Sequence, residues 1–263
     1  MMPCYRDMAI KTLDDCTETY KRWKRREGDN PPFPWGVPFL DRELGDACPG
    51  HLYCVGAGTN VGKSLFSLLL VAECPRPAAY VSLEDSPAEV GRRVRDLAPE
   101  ARVKSFATFP VGKLSQVLLA IREVAEAGAR LVVIDYLQLL GVDGDVPVWG
   151  RNDEIREAVK ALKHLSRELN IVPVLVSQLN RTGAKEKRAT VFDLAGSSAI
   201  ETSSEAIVLL HPGPKGSKII TAEIAKSKST PKGGETVYQY GNNGWLEEMQ
   251  GAVQQTSEED LFQ

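Results

Sequence analysis

From residue 51 to 178 the chain alternates short apolar runs with longer amphipathic segments, and few architectures accept that rhythm. "HLYCVGA" (51–57), "AAYVSL" (78–83), "VKSFAT" (103–108), "RLVVID" (130–135) and "IVPVLVSQ" (171–178) read as strands, while 62–73, 87–97, 112–127 and 152–169 carry helical spacing. Strands that are apolar on both faces and separated by helices predict an α/β domain. Its central sheet is mainly parallel, helices flank it, and ligands sit beyond the carboxyl ends of the strands. After residue 205, "EAIVLLH", "SKIITAEIAK" and "ETVYQYG" lie between Gly/Pro turns and predict extra antiparallel strands at the C-terminal side.

Ahead of this core, Ala9, Leu13, Cys16, Tyr20 and Trp23 share one stripe of a helix expected over 8–26, which prolines 31, 32 and 34 bring to an end. The stripe needs a surface, either its own domain or a neighbouring copy. The expected organisation is a linker helix and proline-rich tether over 1–34, a main domain over 35–246 and an acidic, disordered tail over 247–263. At 263 residues, 43% of them hydrophobic, the chain can bury one such core. The longest apolar run is broken by Asp135 and the first residues lack a signal-peptide core, so a cytoplasmic chain with no membrane span is expected. The five cysteines contain no CxxC spacing and the three histidines are scattered, which favours reduced thiols over a metal cluster.

Net charge is −3, but Glu247, Glu248, Glu258, Glu259 and Asp260 fall in the last 17 residues and leave the remainder slightly positive. Basic residues gather in "RTGAKEKR" (181–188) and between 215 and 232, patches that either contact phosphates or are solvated loops.

"HLYCVGAGTNVGKSLFSLLL" has the strand, glycine-bearing turn and helix of a phosphate-binding loop. Such a loop aims backbone N–H groups and a helix N-terminus at the phosphates and adds a lysine and a magnesium-binding hydroxyl. Gly58, Thr59, Asn60, Val61, Gly62, Lys63 and Ser64 are the candidate set. Ala57 stands where the strict pattern has glycine, flanked by Gly56 and Gly58. Asp135 follows "LVVI" at a strand end, placed to hold magnesium with Ser64. Glu84 follows "YVSL" at another, placed to orient an attacking water. The next residues, "SPAE", form a capping box with Ser86 and Glu89, which makes Asp85 a local turn residue. Gln178 ends the fifth strand, where it can sense a terminal phosphate. Ile220, Ala222, Ile224, Lys226 and Lys228 alternate, which predicts one strand face carrying two ammonium groups.

In order and spacing, "GTNVGKS", "YVSLED", "VVIDYLQLL", "VPVLVSQLNR" and "DLAGSSAIE" closely resemble the RecA-type motor domain of DnaB-family replicative DNA helicases, over about residues 35 to 240. The resemblance implies a RecA-like P-loop NTPase core that uses ATP and Mg2+, works as a hexameric ring on single-stranded DNA and moves 5′ to 3′. It gives Lys63, Ser64 and Asp135 the phosphate and magnesium roles, Glu84 the water-activating role and Gln178 the switch role. Lys226 and Lys228 then reach a neighbour's γ-phosphate, with Lys228 in place of the usual arginine; a lysine lacks the planar fork. The loop 193–201 runs where the family contacts DNA, but Ala195 replaces an arginine. DNA contact is therefore expected from Ala195, Gly196, Ser197 and Ser198, or from Arg181, Lys185, Lys187 and Arg188. The resemblance also assigns the N-terminal helix to a neighbouring motor, lacks the family's collar domain, and implies primase, loader or sliding-clamp partners. "EEDLF" in the tail is similar to clamp-binding peptides, with Glu258 where they carry glutamine, and the collar-less form is compatible with a phage source. A recombination or annealing ATPase that forms filaments on single strands is the alternative, with a non-enzymatic loader or regulator behind it.

Overall fold

The computed structural model describes Thr17 and residues 30–94, 105–110, 112–141, 150–179, 188–194, 196–230, 233–242 and 244–249. The expected N-terminal helix, apart from Thr17, lies outside these residues, as do the last fourteen positions. In chain order the elements are α1 (Pro38–Leu44), β1 (Tyr53–Ala57), α2 (Lys63–Glu73), β2 (Ala78–Ser82), α3 (Pro87–Val94), β3 (Ser105–Thr108), α4 (Leu114–Glu126), β4 (Leu131–Asp135), α5 (Arg151–Leu169), β5 (Val172–Gln178), α6 (Ser197–Ser203), β6 (Ala206–Pro212), β7 (Ile219–Ser227), β8 (Glu235–Tyr240) and β9 (Leu246–Glu248). Short 3-10 turns stand at Leu137–Leu139 and Val191–Asp193.

The strands form one sheet in the order β3-β2-β4-β5-β1-β6-β7-β8-β9. β1, β2 and β4 are buried at every position and β5 at all but its last, as expected of strands covered on both faces. One face packs against α2 through Phe66, Leu69 and Leu70, together with Trp35 and Phe39 from the entering segment. The other packs against Val117 and Ile121 of α4, Val159 and Leu162 of α5, and Ile200 of α6.

Three expectations need correction. β6 runs parallel to β1, so "EAIVLLH" is the sixth parallel strand and the antiparallel part starts one strand later, at β7. The continuous burial of β6 is the property that marks it as interior, and period alone does not give its direction.

The domain limits also move. Phe33 is buried and pairs with Ala47, so the end of the tether belongs to the core. Glu247 and Glu248 belong to β9 rather than to a disordered tail. The Glu248 carboxylate accepts hydrogen bonds from the Phe39 amide at 3.1 Å and the Thr236 hydroxyl at 3.1 Å, and pairs with Arg42 at 3.4 Å. An acidic run reads as solvating until such partners are seen.

The third correction concerns the lysine face. Val208 pairs with Ile224 but Ile207 pairs with Lys226, so β7 bulges at Ala225. A bulge puts two residues opposite one and re-aims the residues after it. Ile224 therefore faces α2, while Ala225 and Lys226 face α5 and α6. The two ammonium groups still project together, on the face opposite to the one that alternation predicts.

Candidate functional site

The parallel strands at the sheet centre deliver their candidate residues to the same edge. In register, Ser82 lies beside Asp135 and Ala57 beside Gln178. Glu84 thus follows β2, Asp135 ends β4, Gln178 ends β5 and the loop 58–62 leaves β1.

The loop meets the needs of a phosphate site. It turns through positive φ at Asn60 (61°) and Gly62 (96°), and α2 begins immediately with Lys63. Ala57 is tolerated because it is the last residue of β1, fully buried and extended, where no glycine conformation is required. Gly56 is required for space: a Cβ there would stand 2.5 Å from Leu194 Cδ2 and 2.7 Å from Leu209 Cδ2. The loop's freedom lies at Asn60 and Gly62, not at the glycines flanking Ala57. Gly56→Ala is expected to destabilise the chain by about 1–3 kcal/mol through overpacking, read as a lower urea midpoint at unchanged slope. A Cβ on Gly62 would collide with the Tyr240 hydroxyl, which places that tyrosine against the loop.

Lys63 is buried, with Nζ 5.0 Å from the centre of the Tyr136 ring. Ser64 follows it, half-buried in the first turn of α2. Asp135 is 2% exposed; its Oδ2 accepts the Tyr80 hydroxyl at 2.5 Å, while Oδ1 is buried and without a hydrogen-bond partner among the described residues. Burial, helped by the Asp135 charge, lifts the Tyr80 hydroxyl far above its ordinary pKa, which keeps it a donor. A buried acceptor with no donor costs about 1–3 kcal/mol. A hydrated cation would satisfy its lone pair, and this carboxylate, a lysine and a hydroxyl at a helix N-terminus fit a nucleotide with its magnesium.

Glu84 stands at the same edge, and its charge reaches the Tyr136 hydroxyl, whose pKa is raised first by burial and then by Glu84 and Asp135. The capping box forms as expected: Ser86 N–H donates to Glu89 at 2.8 Å. Asp85 is bound locally, by Ser82 and by Arg93. Gln178 reaches the loop itself, its Nε2 donating to Thr59 Oγ1 at 2.7 Å. Gln138, which the sequence pattern did not single out although it lies in "DYLQLL", steadies that contact. It donates to Ser177 Oγ at 2.8 Å and accepts the Gln178 amide at 3.1 Å.

Beyond β5, Arg181, Lys185, Lys187 and Ala195 lie outside the described residues. Arg188 is placed, but its guanidinium pairs with Glu223 at 3.2 Å and with Glu235. Those ion pairs engage its guanidinium within the chain, while the side chain stays half exposed. Gly196 takes φ 78° and caps α6, and a Cβ there would lie 2.5 Å from Ile155 Cγ2. Ser197 opens the helix and Ser198 is exposed. Beside them Phe192 is 72% exposed on a turn pinned by a reciprocal capping box between Thr190 and Asp193. Sequence alone gave no hint that this aromatic faces water.

Lys226 and Lys228 stand far from the loop of their own chain. Lys228 N–H donates to Glu205 O, and Glu205 N–H to Leu52 O, which places the pair at the start of β1. The loop leaves its other end, about 20 Å away for six extended residues.

A sheet of this order, with a glycine-bearing turn between β1 and α2, a buried carboxylate on a neighbouring strand and a glutamine between loop and crossover, has the RecA-like fold. Residues 109–238 match the DnaB-like helicase C-terminal domain family, close to half of the chain. The replicative DNA helicase DnaB of Leifsonia xyli is 27% identical over 81% of this chain and 51% of its own length. That of Geobacillus stearothermophilus is 26% identical over 87% and 58%. The chain thus spans about half the length of the curated relatives it matches. Among solved structures, a DnaB-like replicative helicase studied with its primase interactions superposes with a TM-score of 0.70 at 21% identity, over 91% of this chain and 67% of that one. The RadB recombinase gives 0.60 at 20%, over 80% and 96%.

Proposed function

We propose that the chain is the ATP-hydrolysing motor of a DnaB-like replicative DNA helicase, translocating 5′ to 3′ on single-stranded DNA as a hexameric ring. The observation that carries the reading is the buried Oδ1 of Asp135, left without a donor among the described residues at the strand edge shared with Lys63 and Gln178.

In this reading Lys63 and the amides of Gly58, Thr59, Asn60, Val61 and Gly62 hold the phosphates of ATP. Ser64 and Asp135 hold Mg2+, which neutralises charge on those phosphates when bound. Glu84 orients the attacking water and accepts its proton. Gln178, tied to Thr59, links the state of the loop to the segment that leads into α6. Lys226 and Lys228 supply positive charge to the site of an adjacent copy, a role supported by their distance from their own loop. The main domain extends from about residue 30 to 249, and copies of this chain, single-stranded DNA and primase are the partners to test.

The turn around Gly196, with Ser197 and Ser198, contacts backbone phosphates, and Phe192 offers an aromatic face on which a base can stack. Stacking is worth about 1–3 kcal/mol per base. Phe192→Ala is therefore expected to weaken binding of a labelled oligothymidylate about tenfold. The slope of affinity against salt should stay unchanged, because no phosphate contact is lost.

The reading as a whole is tested with a forked duplex bearing a free 5′ tail. Unwinding that requires ATP and Mg2+ is expected. DNA-stimulated hydrolysis with no unwinding at any protein concentration rejects the helicase, and filaments rather than rings in electron micrographs would favour the recombinase-like alternative.

A further inference from the structure

The C-terminal end of α6 is held in an unusual way. The last carbonyls of a helix have no intrahelical donors, and here three ammonium groups take them, from α5, from β7 and from the residue after Ser227. Lys226 donates to Glu201 O, Lys228 to Thr202 O at 3.2 Å, and Lys163 of α5 to Ser203 O at 2.8 Å. α6 is a crossover helix. It begins at Gly196, on the loop side of the sheet where Leu194 packs over Gly56, and ends beside the start of β1. α5 clips it at both ends, through Ile155 against Gly196 and Lys163 on Ser203.

Two of the three lysines are those assigned to a neighbour's nucleotide in the proposed function, on which the present inference rests. An ammonium group bound to an anionic phosphate gains a charge–charge attraction that a neutral carbonyl does not offer. When a neighbour presents its phosphates, the ammonium groups of Lys226 and Lys228 leave α6 for them. Lys163 sits on a separate helix and does not move with β7. Burial and the nearby charge of Lys228 depress its pKa, a sign that the three ammonium groups are crowded.

We propose that Lys163 is a positioning residue: it keeps the C-terminal end of α6 seated when Lys226 and Lys228 turn to a neighbouring copy, so that nucleotide occupancy next door is felt at the strand-contacting turn around Gly196. α6 is the lever, α5 its bearing and Lys163 the pin at the far end. Without the pin, release of the other two lysines frees the helix end, and the turn no longer reports the nucleotide.

The test measures coupling in the full chain. Oligothymidylate affinity is measured by fluorescence anisotropy with and without a non-hydrolysable ATP analogue and Mg2+, and the ratio gives the coupling factor. The parent is expected to show a factor of about five or more. Lys163→Met should bring it to within about twofold of unity with analogue affinity unchanged, and Lys163→Arg, which keeps a donor there, should restore it. A purely structural lysine would instead change both affinities or neither. The inference is overturned if Lys163→Met keeps the parent factor, if Lys163→Arg behaves like methionine in a chain that melts like the parent, or if the parent binds both ligands without coupling. A parent that binds neither ligand overturns the proposed function itself.

Discussion

Lys63→Ala should lower hydrolysis by about 100-fold or more while leaving the fold intact. Loss of one preorganised donor at developing charge costs about 10²–10³ in turnover, and Lys63 opens α2 at the loop's mouth. Its ring contact with Tyr136 is worth only about 0.5–2 kcal/mol, a loss offset in part because a buried ammonium disappears with it. Thermal unfolding is therefore expected to change by no more than a few degrees. Phosphate release in the presence of single-stranded DNA is the measurement, with calorimetric titration of ATP alongside it. Turnover within tenfold of the parent would remove Lys63 from the site and, with it, the reading of 58–64 as a phosphate cradle.

The part of this site that was legible in the sequence is the part dictated by strand ends. Glu84, Asp135 and Gln178 each close a continuous apolar run, and parallel strands bring their carboxyl ends to one edge whatever the details of the loops. The capping box of Ser86 and Glu89 was equally local, and it freed Glu84 from structural duty. Tyr80 was hidden because it is one more apolar position in a buried strand; only the register of β2 on β4 brings its hydroxyl to Asp135. The fate of Arg188 depends on Glu223 and Glu235, 35 and 47 residues away, so the basic run around it said little about what it binds. The direction of Lys226 turned on a single unpaired residue, Ala225. A period of two carries no record of a bulge, and one extra residue moves everything after it to the other face.

That flipped face leads to the second large effect. The lysines lie about 20 Å from their own loop, farther than a lysine side chain extends, so a chain that uses them must borrow its neighbour's. Lys226→Met should lower turnover by about 100-fold, much as Lys63→Ala does, yet the two lesions fall on opposite sides of each interface. In an equimolar mixture that assembles at random, a junction is intact only when the copy offering the cradle carries the methionine and the copy offering the lysines carries the alanine. About one junction in four meets that condition. Two preparations, each at about one-hundredth of parent activity, should therefore give about one-quarter when mixed, and more of either variant should lower it again. If the mixture stayed at the level of its parts while size-exclusion chromatography showed mixed assemblies, each copy would be working with its own residues. The geometry of β7 would then have no bearing on hydrolysis.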